Sequence, residues 1–189
     1  MKCILPFFLF FCCSSCGVQY RLSTSDGKED RSYVYALPYP KGVAHFLIQG
    51  YNSRFSHKGR TNLDFKMKKG AVITAARKGV VVRVDEGYSK GGVNIKYLGG
   101  ANQVIIRHED GTMAMYGHLQ HQGALVSVGD TVQTGQPIAK AGSTGYSALP
   151  HLHFFVWEPL PGGRKVLPTR FTTVRGIKYL RPGRWYRTT

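Results

Sequence analysis

Short hydrophobic runs separated by turn residues recur along most of the chain. Residues 72–84 are rich in β-branched side chains, and Arg77-Lys78-Gly79 interrupts them. Residues 104–107 and 112–116 flank Glu109-Asp110-Gly111. This arrangement predicts a β-hairpin, because an Asp-Gly turn commonly joins two antiparallel strands. Glycine and proline interrupt the chain too often for long helices.

The close spacing of these runs predicts an all-β fold, with an antiparallel sheet in a barrel-sandwich and few or no long helices. Two stretches of the chain also resemble each other. Gly70-Ala71-Val72-Ile73 leads into Gly79-Val80-Val81, and Gly129-Asp130-Thr131-Val132 leads into Gly135-Gln136-Pro137-Ile138. The similarity is typical either of a duplicated motif or of the ordinary succession of glycine turns and strands in β-hairpins.

A pair of histidines opens the most aromatic run of the chain. His151-Leu152-His153 precedes Phe154-Phe155-Val156-Trp157, and this composition predicts a strand. Residues two apart on a strand point to the same face, so both imidazoles project together. Such a pair favours two metal ligands, or one ligand and one catalytic base. An ordinary surface pair beside an aromatic core is the alternative.

The N-terminus has the features of a signal segment, which we place at residues 1–15. Lys2 precedes an apolar run at residues 4–13 that is too short to span a bilayer. Ser14-Ser15-Cys16-Gly17 resembles a bacterial lipoprotein signal, in which Cys16 would be lipidated. Ordinary cleavage and an uncleaved anchor are the alternatives. All 4 cysteines lie in or beside this segment, so any metal site farther along must use His, Asp or Glu.

We divide the remaining chain into a tether (16–41), a domain (42–160) and a basic C-terminal extension (161–189). The extension contains no acidic residue, and it is predicted to be a polymer-facing tail or a closing strand. The whole chain has 26 basic and 10 acidic residues, a net charge of +16, which favours a polyanionic neighbour. An export signal argues against nucleic acid. Anionic envelope polymers or lipid head groups are expected instead, and a merely solvated basic surface is the alternative.

Other candidate residues lie near glycine turns or between apolar neighbours. Asp64 stands between Leu63 and Phe65, so strand alternation would point its carboxylate away from both. An isolated inward carboxylate is costly unless it is paired or bound to a metal. A turn aspartate is the alternative. His118 ends the second strand of the predicted hairpin, where a core or edge histidine is the alternative.

Three further histidines are predicted to have no chemical role. His45 is expected to be a half-buried strand residue between Ala44 and Phe46. His108 adjoins the predicted Asp-Gly turn and His121 lies in an apparent loop, so both are expected at the surface.

Taken together, these segments resemble the lysostaphin/LytM-type peptidases of family M23 over about residues 42–157. Each motif alone is weak, but their joint occurrence in this order is specific. The matching stretches are Ser56-His57-Lys58-Gly59 with Leu63-Asp64-Phe65, Gly70 through Gly79-Val80-Val81, Tyr116-Gly117-His118-Leu119, Gly129-Asp130-Thr131-Val132 with Gly135-Gln136, and Gly142-Ser143-Thr144-Gly145 leading to Pro150-His151-Leu152-His153-Phe154.

The resemblance implies a role for each matching residue. The ligands of one Zn²⁺ would be His57, Asp64 and His153. The catalytic pair would be His118 and His151, with a zinc-bound water as the nucleophile. Tyr51 matches a tyrosine that helps to polarise the scissile carbonyl in some members. Six residues separate His57 from Asp64 here, whereas many members have three.

The function implied by the resemblance is that of an exported zinc endopeptidase. It would hydrolyse peptide cross-links or stems of bacterial peptidoglycan at the cell envelope, anchored to the membrane through Cys16. One alternative is a non-catalytic M23-like module that recruits or activates another cell-wall hydrolase. Another is a biotinyl or lipoyl carrier, for which the order of Lys66-Met67-Lys68 is wrong, since biotin carriers typically have Met-Lys-Met.

Overall fold

Strands form nearly all the regular structure of residues 34–53 and 56–189, which are the residues that the computed structural model describes. They are, in chain order, β1 (Val34–Ala36), β2 (Ala44–Gln49), β3 (Leu63–Lys66), β4 (Val72–Thr74), β5 (Gly79–Asp85), β6 (Gly91–Gly92), β7 (Gln103–Arg107), β8 (Met113–Gly117), β9 (Leu119–Ala124), β10 (Thr131–Val132), β11 (Pro137–Ala141), β12 (Gly145–Tyr146), β13 (His151–Leu160), β14 (Gly163–Leu167), β15 (Arg170–Thr173), β16 (Gly176–Lys178) and β17 (Arg184–Arg187). One turn of 3-10 helix spans Ile95–Tyr97. The predicted all-β class without long helices is confirmed. Within these residues, no helix has the length and apolar character needed to cross a membrane.

A nine-stranded sheet contains the longest strand, β13, near its middle. The strand order is β10-β5-β7-β8-β13-β3-β2-β17, with β14 also paired to β13. Its pairings are antiparallel, as predicted, and β7 and β8 form the predicted hairpin. Smaller sheets have the orders β4-β11-β9, β1-β15-β16 and β12-β6. The pairs β1–β15 and β12–β6 are parallel.

The two similar sequence stretches pair with each other. Strand β4 runs antiparallel to β11, and β5 runs antiparallel to β10. The backbone hydrogen bonds at the two ends are also alike, since Gly129 N donates to Val81 O and Gly70 N donates to Ala141 O, each at 2.8 Å. The similarity therefore reflects two interlocked segments, as a duplicated motif predicts.

One face of the nine-stranded sheet supplies much of the hydrophobic core. In β3, Leu63 and Phe65 are fully buried on this face, while Asp64 and Lys66 project from the other because side chains alternate along a strand. Ile73 of β4 and Ile138 of β11 belong to the same buried cluster. The opposite face of β3 and β13 carries polar side chains, which include Asp64, His151 and His153.

Both ends of the described chain pack into this core. Tyr35 and Tyr39, within the predicted tether, are buried, and the Tyr39 hydroxyl donates to Tyr186 O at 2.8 Å. Strands β14 to β17 come from the predicted basic extension, and Phe171 of β15 is part of the core. The expected closing strand is β17, which pairs with β2. The core therefore contains residues from both sides of the expected boundaries at 42 and 160. Burial of these aromatic side chains is favourable because it removes large apolar areas from water.

His108 is buried, so its predicted position at the surface is wrong. It is 3% exposed, packs edge-on against Tyr35, and its Nδ1–H donates to Lys78 O at 2.7 Å. Nε2 has no hydrogen-bond partner. Burial lowers the pKa of His108 below its ordinary value, so the ring is neutral. His121 is exposed, as predicted, and His45 is half-buried in β2.

Candidate metal centre and active site

The register of β13 against its two neighbours builds the centre of the site. His153 lies opposite Asp64 of β3 on one side and opposite Gly117 of β8 on the other. His118 follows Gly117 directly, so strand pairing brings it beside His153. His151 lies two residues before His153 and projects from the same face.

The Asp64 carboxylate lies among three imidazoles. Its Oδ1 is 2.7 Å from His153 Nδ1 and 3.7 Å from His151 Nε2, and its Oδ2 is 3.2 Å from His57 Nε2. Burial of this 4% exposed side chain opposes ionisation, but its contacts with His153 and His57 outweigh burial, so the pKa of Asp64 is well below its usual value. Asp64 is therefore ionised, which favours a cation close by.

His57 presents a buried nitrogen that needs a partner. Its Nδ1–H donates to Gly50 O at 3.2 Å, which leaves a lone pair on Nε2. This Nε2 makes no hydrogen bond, and the side chain is 1% exposed. A lone pair facing a carboxylate in a buried site is costly unless a cation lies between them. A turn in which Arg60 N donates to His57 O accommodates the long spacing before β3.

The described residues contain two overlapping groups that could hold a metal ion. Ligand atoms within 4.8 Å of one another come from His57, Asp64 and His153, or from His118, His151 and His153. Two ligand atoms of a tetrahedral zinc site lie about 3.3 Å apart, given Zn–N distances near 2.0 Å. The separations of Asp64 from His57 and His153, 3.2 and 2.7 Å, are close to that value. The first group also supplies a negative charge, which the second group lacks.

His118 and His151 are oriented in the same way. The Nδ1–H of His118 donates to Thr144 O at 2.7 Å, and the Nδ1–H of His151 donates to Leu149 O at 2.8 Å. Their rings are 4.6 Å apart between centroids. These bonds leave the Nε2 atom of each ring as a proton acceptor. His118 has a φ of +59°, a left-handed conformation that is uncommon outside glycine and is often found at functional sites.

The protonation of these two rings is governed mainly by burial. Burial and the neighbouring charges of His151 and His153 lower the pKa of His118 to about 4. Burial also lowers the pKa of His151, although the charge of Asp64 acts in the opposite direction. Both rings are therefore neutral at pH 7, and a proton on His151 is favoured by a carboxylate at 3.7 Å.

Two amide side chains that no sequence motif identifies contact the proposed ligands. Gln49 Nε2 donates to Asp64 Oδ2 at 2.7 Å, and Asn62 Nδ2 donates to His153 Nε2 at 3.2 Å. Gln49 lies opposite Asp64 next to a β-bulge, so no alternation pattern could have identified it. For Asn62, its position two residues before Asp64 is a local indication that the two side chains lie on the same side of the chain.

A buried asparagine and a glycine hold the loop behind His118. Asn102 is fully buried. Its Nδ2 donates to Tyr88 O at 2.7 Å, and its backbone N donates to Thr144 Oγ1 at 3.0 Å. Gly142 N donates to His118 O at 3.0 Å. A Cβ on Gly142 would lie 2.5 Å from Gln120 N, so any side chain there would move the backbone next to His118.

The remaining predicted site residues are Tyr51 and Cys16. The Tyr51 hydroxyl donates to Thr169 O at 2.8 Å and accepts from Thr169 N at 2.8 Å. Its part in polarising a carbonyl stays a prediction. Cys16 lies outside the described residues, so its lipidation also stays a prediction.

Comparison with known proteins identifies similar sequences. A family model described as peptidase family M23 matches residues 56–168. Over 125 residues, the chain is 35% identical to lysostaphin of Staphylococcus simulans, covering 66% of this chain and 20% of lysostaphin. It is 33% identical over 140 residues to the murein hydrolase activator EnvC of Escherichia coli, covering 73% and 31%. It is 31% identical over 110 residues to outer membrane antigenic lipoprotein B of Histophilus somni, covering 58% and 28%. The matches span less than a third of each of these relatives.

Solved structures share the fold. A mutant catalytic domain of the prophage-encoded M23 protein EnpA from Enterococcus faecalis superposes with a TM-score of 0.53 and 27% identity, covering 68% of this chain and 92% of that domain. A zinc containing peptidase from Vibrio cholerae superposes with a TM-score of 0.50 and 27% identity, covering 70% and 39%.

Proposed function

Since the chain belongs to peptidase family M23, we propose that it is a zinc-dependent endopeptidase that hydrolyses peptide bonds in the cross-links or stems of peptidoglycan. One observation carries this proposal. Four histidines and one aspartate come together in two overlapping groups, and the ligand atoms within each group lie within 4.8 Å of one another. Lysostaphin and the Vibrio cholerae zinc containing peptidase support the same chemistry.

We assign one zinc ion per chain to His57, Asp64 and His153. The orphaned Nε2 of His57 and the ionised carboxylate of Asp64 fit a divalent cation. When bound, zinc would polarise a carbonyl oxygen and lower the pKa of a water molecule toward about 7. Gln49 would hold Asp64 in orientation through its hydrogen bond to Oδ2.

His118 and His151 would manage the protons of the hydrolysis. The Nε2 of His118, neutral because burial lowers its pKa, would accept the proton of the attacking water. That proton would pass from His118 to His151, whose ring centroid lies 4.6 Å from that of His118 and whose Nε2 lies near the Asp64 carboxylate, and from His151 to the departing amine nitrogen. The carbon–nitrogen bond then breaks, with one proton gained by nitrogen and the hydroxyl retained on carbon. No covalent bond to the protein is formed.

The alternative is a non-catalytic module that activates another cell-wall hydrolase, as the name of the EnvC relative indicates for that protein. The presence of all five side chains argues against an inactive site. The test is to incubate the full chain with purified peptidoglycan, with and without chelator, and to identify the released muropeptides. His118→Ala should abolish release, and His121→Ala, at an exposed histidine outside the site, should not. A chain that binds no zinc at neutral pH would contradict the enzyme proposal.

We further propose that the protein acts in the cell envelope, held at the membrane through a lipid on Cys16 and near anionic envelope polymers by its charge of +16. The relative named outer membrane antigenic lipoprotein B is consistent with this location. Mass spectrometry of the membrane fraction should detect a lipidated Cys16, and Cys16→Ser should release the protein from membranes.

A further inference from the structure

A row of four residues leads from His151 to the edge of the nine-stranded sheet. His151 of β13 lies opposite Lys66 of β3, Lys66 lies opposite Phe46 of β2, and Phe46 lies opposite Trp185 of β17. Residues directly opposite each other in antiparallel strands project from the same face. The whole row is therefore on the face that carries Asp64 and the histidines.

The outer end of this row is an aromatic surface, which we name the edge platform (Phe46 and Trp185). The two ring centroids are 5.7 Å apart with planes inclined by 59°, and Trp185 is 69% exposed. A tryptophan presents a large apolar area, and such residues often dominate binding surfaces. Most of the Trp185 ring is therefore open to solvent and accessible to a ligand.

A cavity adjoins the edge platform. Trp185 and Lys66 line it together with apolar side chains that include Val43 and Met67, and its volume is ≈ 510 Å³. This volume is within the range of small-ligand sites, about 300–1,000 Å³. A ligand that stacks on Trp185 could therefore place a small substituent in the cavity.

The charges around the edge platform are positive. Lys66 and Lys68 line the cavity, and Arg187 projects from the same face as Trp185 because it lies opposite Ala44, two residues from Phe46. Among the described residues that line the cavity there is no acidic side chain. The surface thus combines aromatic rings with cations, and suits a ligand that has an apolar face and nearby anionic groups.

We propose that the edge platform binds the amino-sugar glycan strand of peptidoglycan while the stem peptide of that strand occupies the active site. This inference rests on the proposed function. A pyranose ring offers a flat face of C–H groups for stacking on Trp185, and the stem carboxylates meet Lys66. Three interstrand spacings separate His151 from Trp185, about 14 Å. An extended stem of about four residues covers about 13 Å.

A lipid surface is the competing partner, since an exposed tryptophan among cations also suits anionic head groups. The strand register favours a peptidoglycan ligand over a lipid surface, because the row of residues that ends at Trp185 begins at His151 in the proposed active site. A membrane contact would require no such continuity.

The test compares two substrates that contain the same scissile bond. One is a soluble cross-linked muropeptide that retains its sugars, and the other is the corresponding peptide without glycan. Trp185→Ala in the full chain should raise KM for the glycan-containing substrate about tenfold, the scale of losing one aromatic stacking contact. The effect should be confined to that substrate. Trp185→Phe should restore most of the affinity, and Leu125→Ala, at an exposed apolar residue in the turn after β9, should match wild type on both substrates.

Binding is measured separately from cleavage, by sedimentation of the protein with purified peptidoglycan and with vesicles of phosphatidylglycerol and phosphatidylcholine. Trp185→Ala should weaken sedimentation with peptidoglycan about tenfold. If wild type cleaves neither substrate, the proposed function is overturned, but the binding measurement still tests the edge platform. An equal loss on both substrates, unchanged peptidoglycan binding, or a Trp185-dependent binding of vesicles in place of peptidoglycan would overturn the glycan assignment.

Discussion

Replacing His153 by alanine should abolish zinc binding, while replacing His151 should leave the metal in place. His153 Nδ1 lies 2.7 Å from the Asp64 carboxylate, and together with His57 these groups form the proposed ligand set. His151 is instead tied through Nδ1 to Leu149 O and belongs to the proposed catalytic pair. Alanine at 151 removes a proton carrier and alanine at 153 removes a ligand, so the two variants should both lose hydrolysis but differ in metal content.

The expected size of the effect follows from binding linkage. Zinc at 100 times its dissociation constant stabilises the folded state by about 2.7 kcal/mol when it binds only that state. The compact unit spans residues 31–189. For a unit of this size, 1 kcal/mol corresponds to about 2–4 °C in Tm, so zinc should raise Tm by about 5–11 °C. Wild type and His151→Ala should show this shift, and His153→Ala should show little or none.

The assay is thermal unfolding of the full chain, stripped by chelator and then measured with and without added zinc, alongside metal analysis by mass spectrometry. His121→Ala is the matched control, because it removes an exposed histidine outside the site. The reasoning is refuted if zinc stabilises His153→Ala as much as wild type. It is also refuted if His151→Ala loses the shift while His57→Ala keeps it, since the metal would then belong to the group of His118, His151 and His153.

Three further predictions concern side chains around the site and core. Burial lowers the pKa of His108 in the folded state, so below about pH 6.5 the unfolded state takes up more protons and stability falls as pH falls. His108→Phe should therefore lose less unfolding free energy than wild type between pH 7 and 5, as measured by urea denaturation. An equal loss in wild type and variant would contradict this. Asn102→Ala should cost about 2–4 kcal/mol in urea denaturation because it leaves buried backbone groups unpaired, whereas Ser89→Ala, at an exposed residue, should cost under about 1 kcal/mol. Gly142→Ala should lower kcat by displacing His118, while Gly163→Ala, with open space around it, should leave kcat unchanged; equal kcat values would exclude this role for Gly142.

The strands and the facing of their side chains could be predicted from the sequence. Alternation depends on backbone geometry, which repeats every two residues, so His151 and His153 had to share a face once their segment formed a strand. The hairpin at residues 103–117 was equally local, because an Asp-Gly turn determines which strands can pair. The grouping of His57, Asp64 and His118 with this pair came from motif resemblance, not from periodicity.

Features that depend on long-range packing could not be predicted in this way. Residues 16–41 are predicted to be a tether, yet Tyr35 and Tyr39 within them bury their rings in the core. His108 is predicted at the surface because it adjoins a turn, yet Tyr35 packs against it and its Nδ1–H donates to the carbonyl of Lys78. In each case the partner lies far away along the chain, and no local pattern specifies it.

The sequence by itself determined a β-rich chain with two histidines on one strand face and a carboxylate between two apolar neighbours. Only the tertiary structure decided that Asp64 meets His153 across 89 residues of chain, that Gln49 holds the same carboxylate, and that the carbonyl of Thr144 orients His118. The physical reason is that side-chain alternation is a local property of the backbone, whereas strand register and loop placement are set by the packing of the entire core.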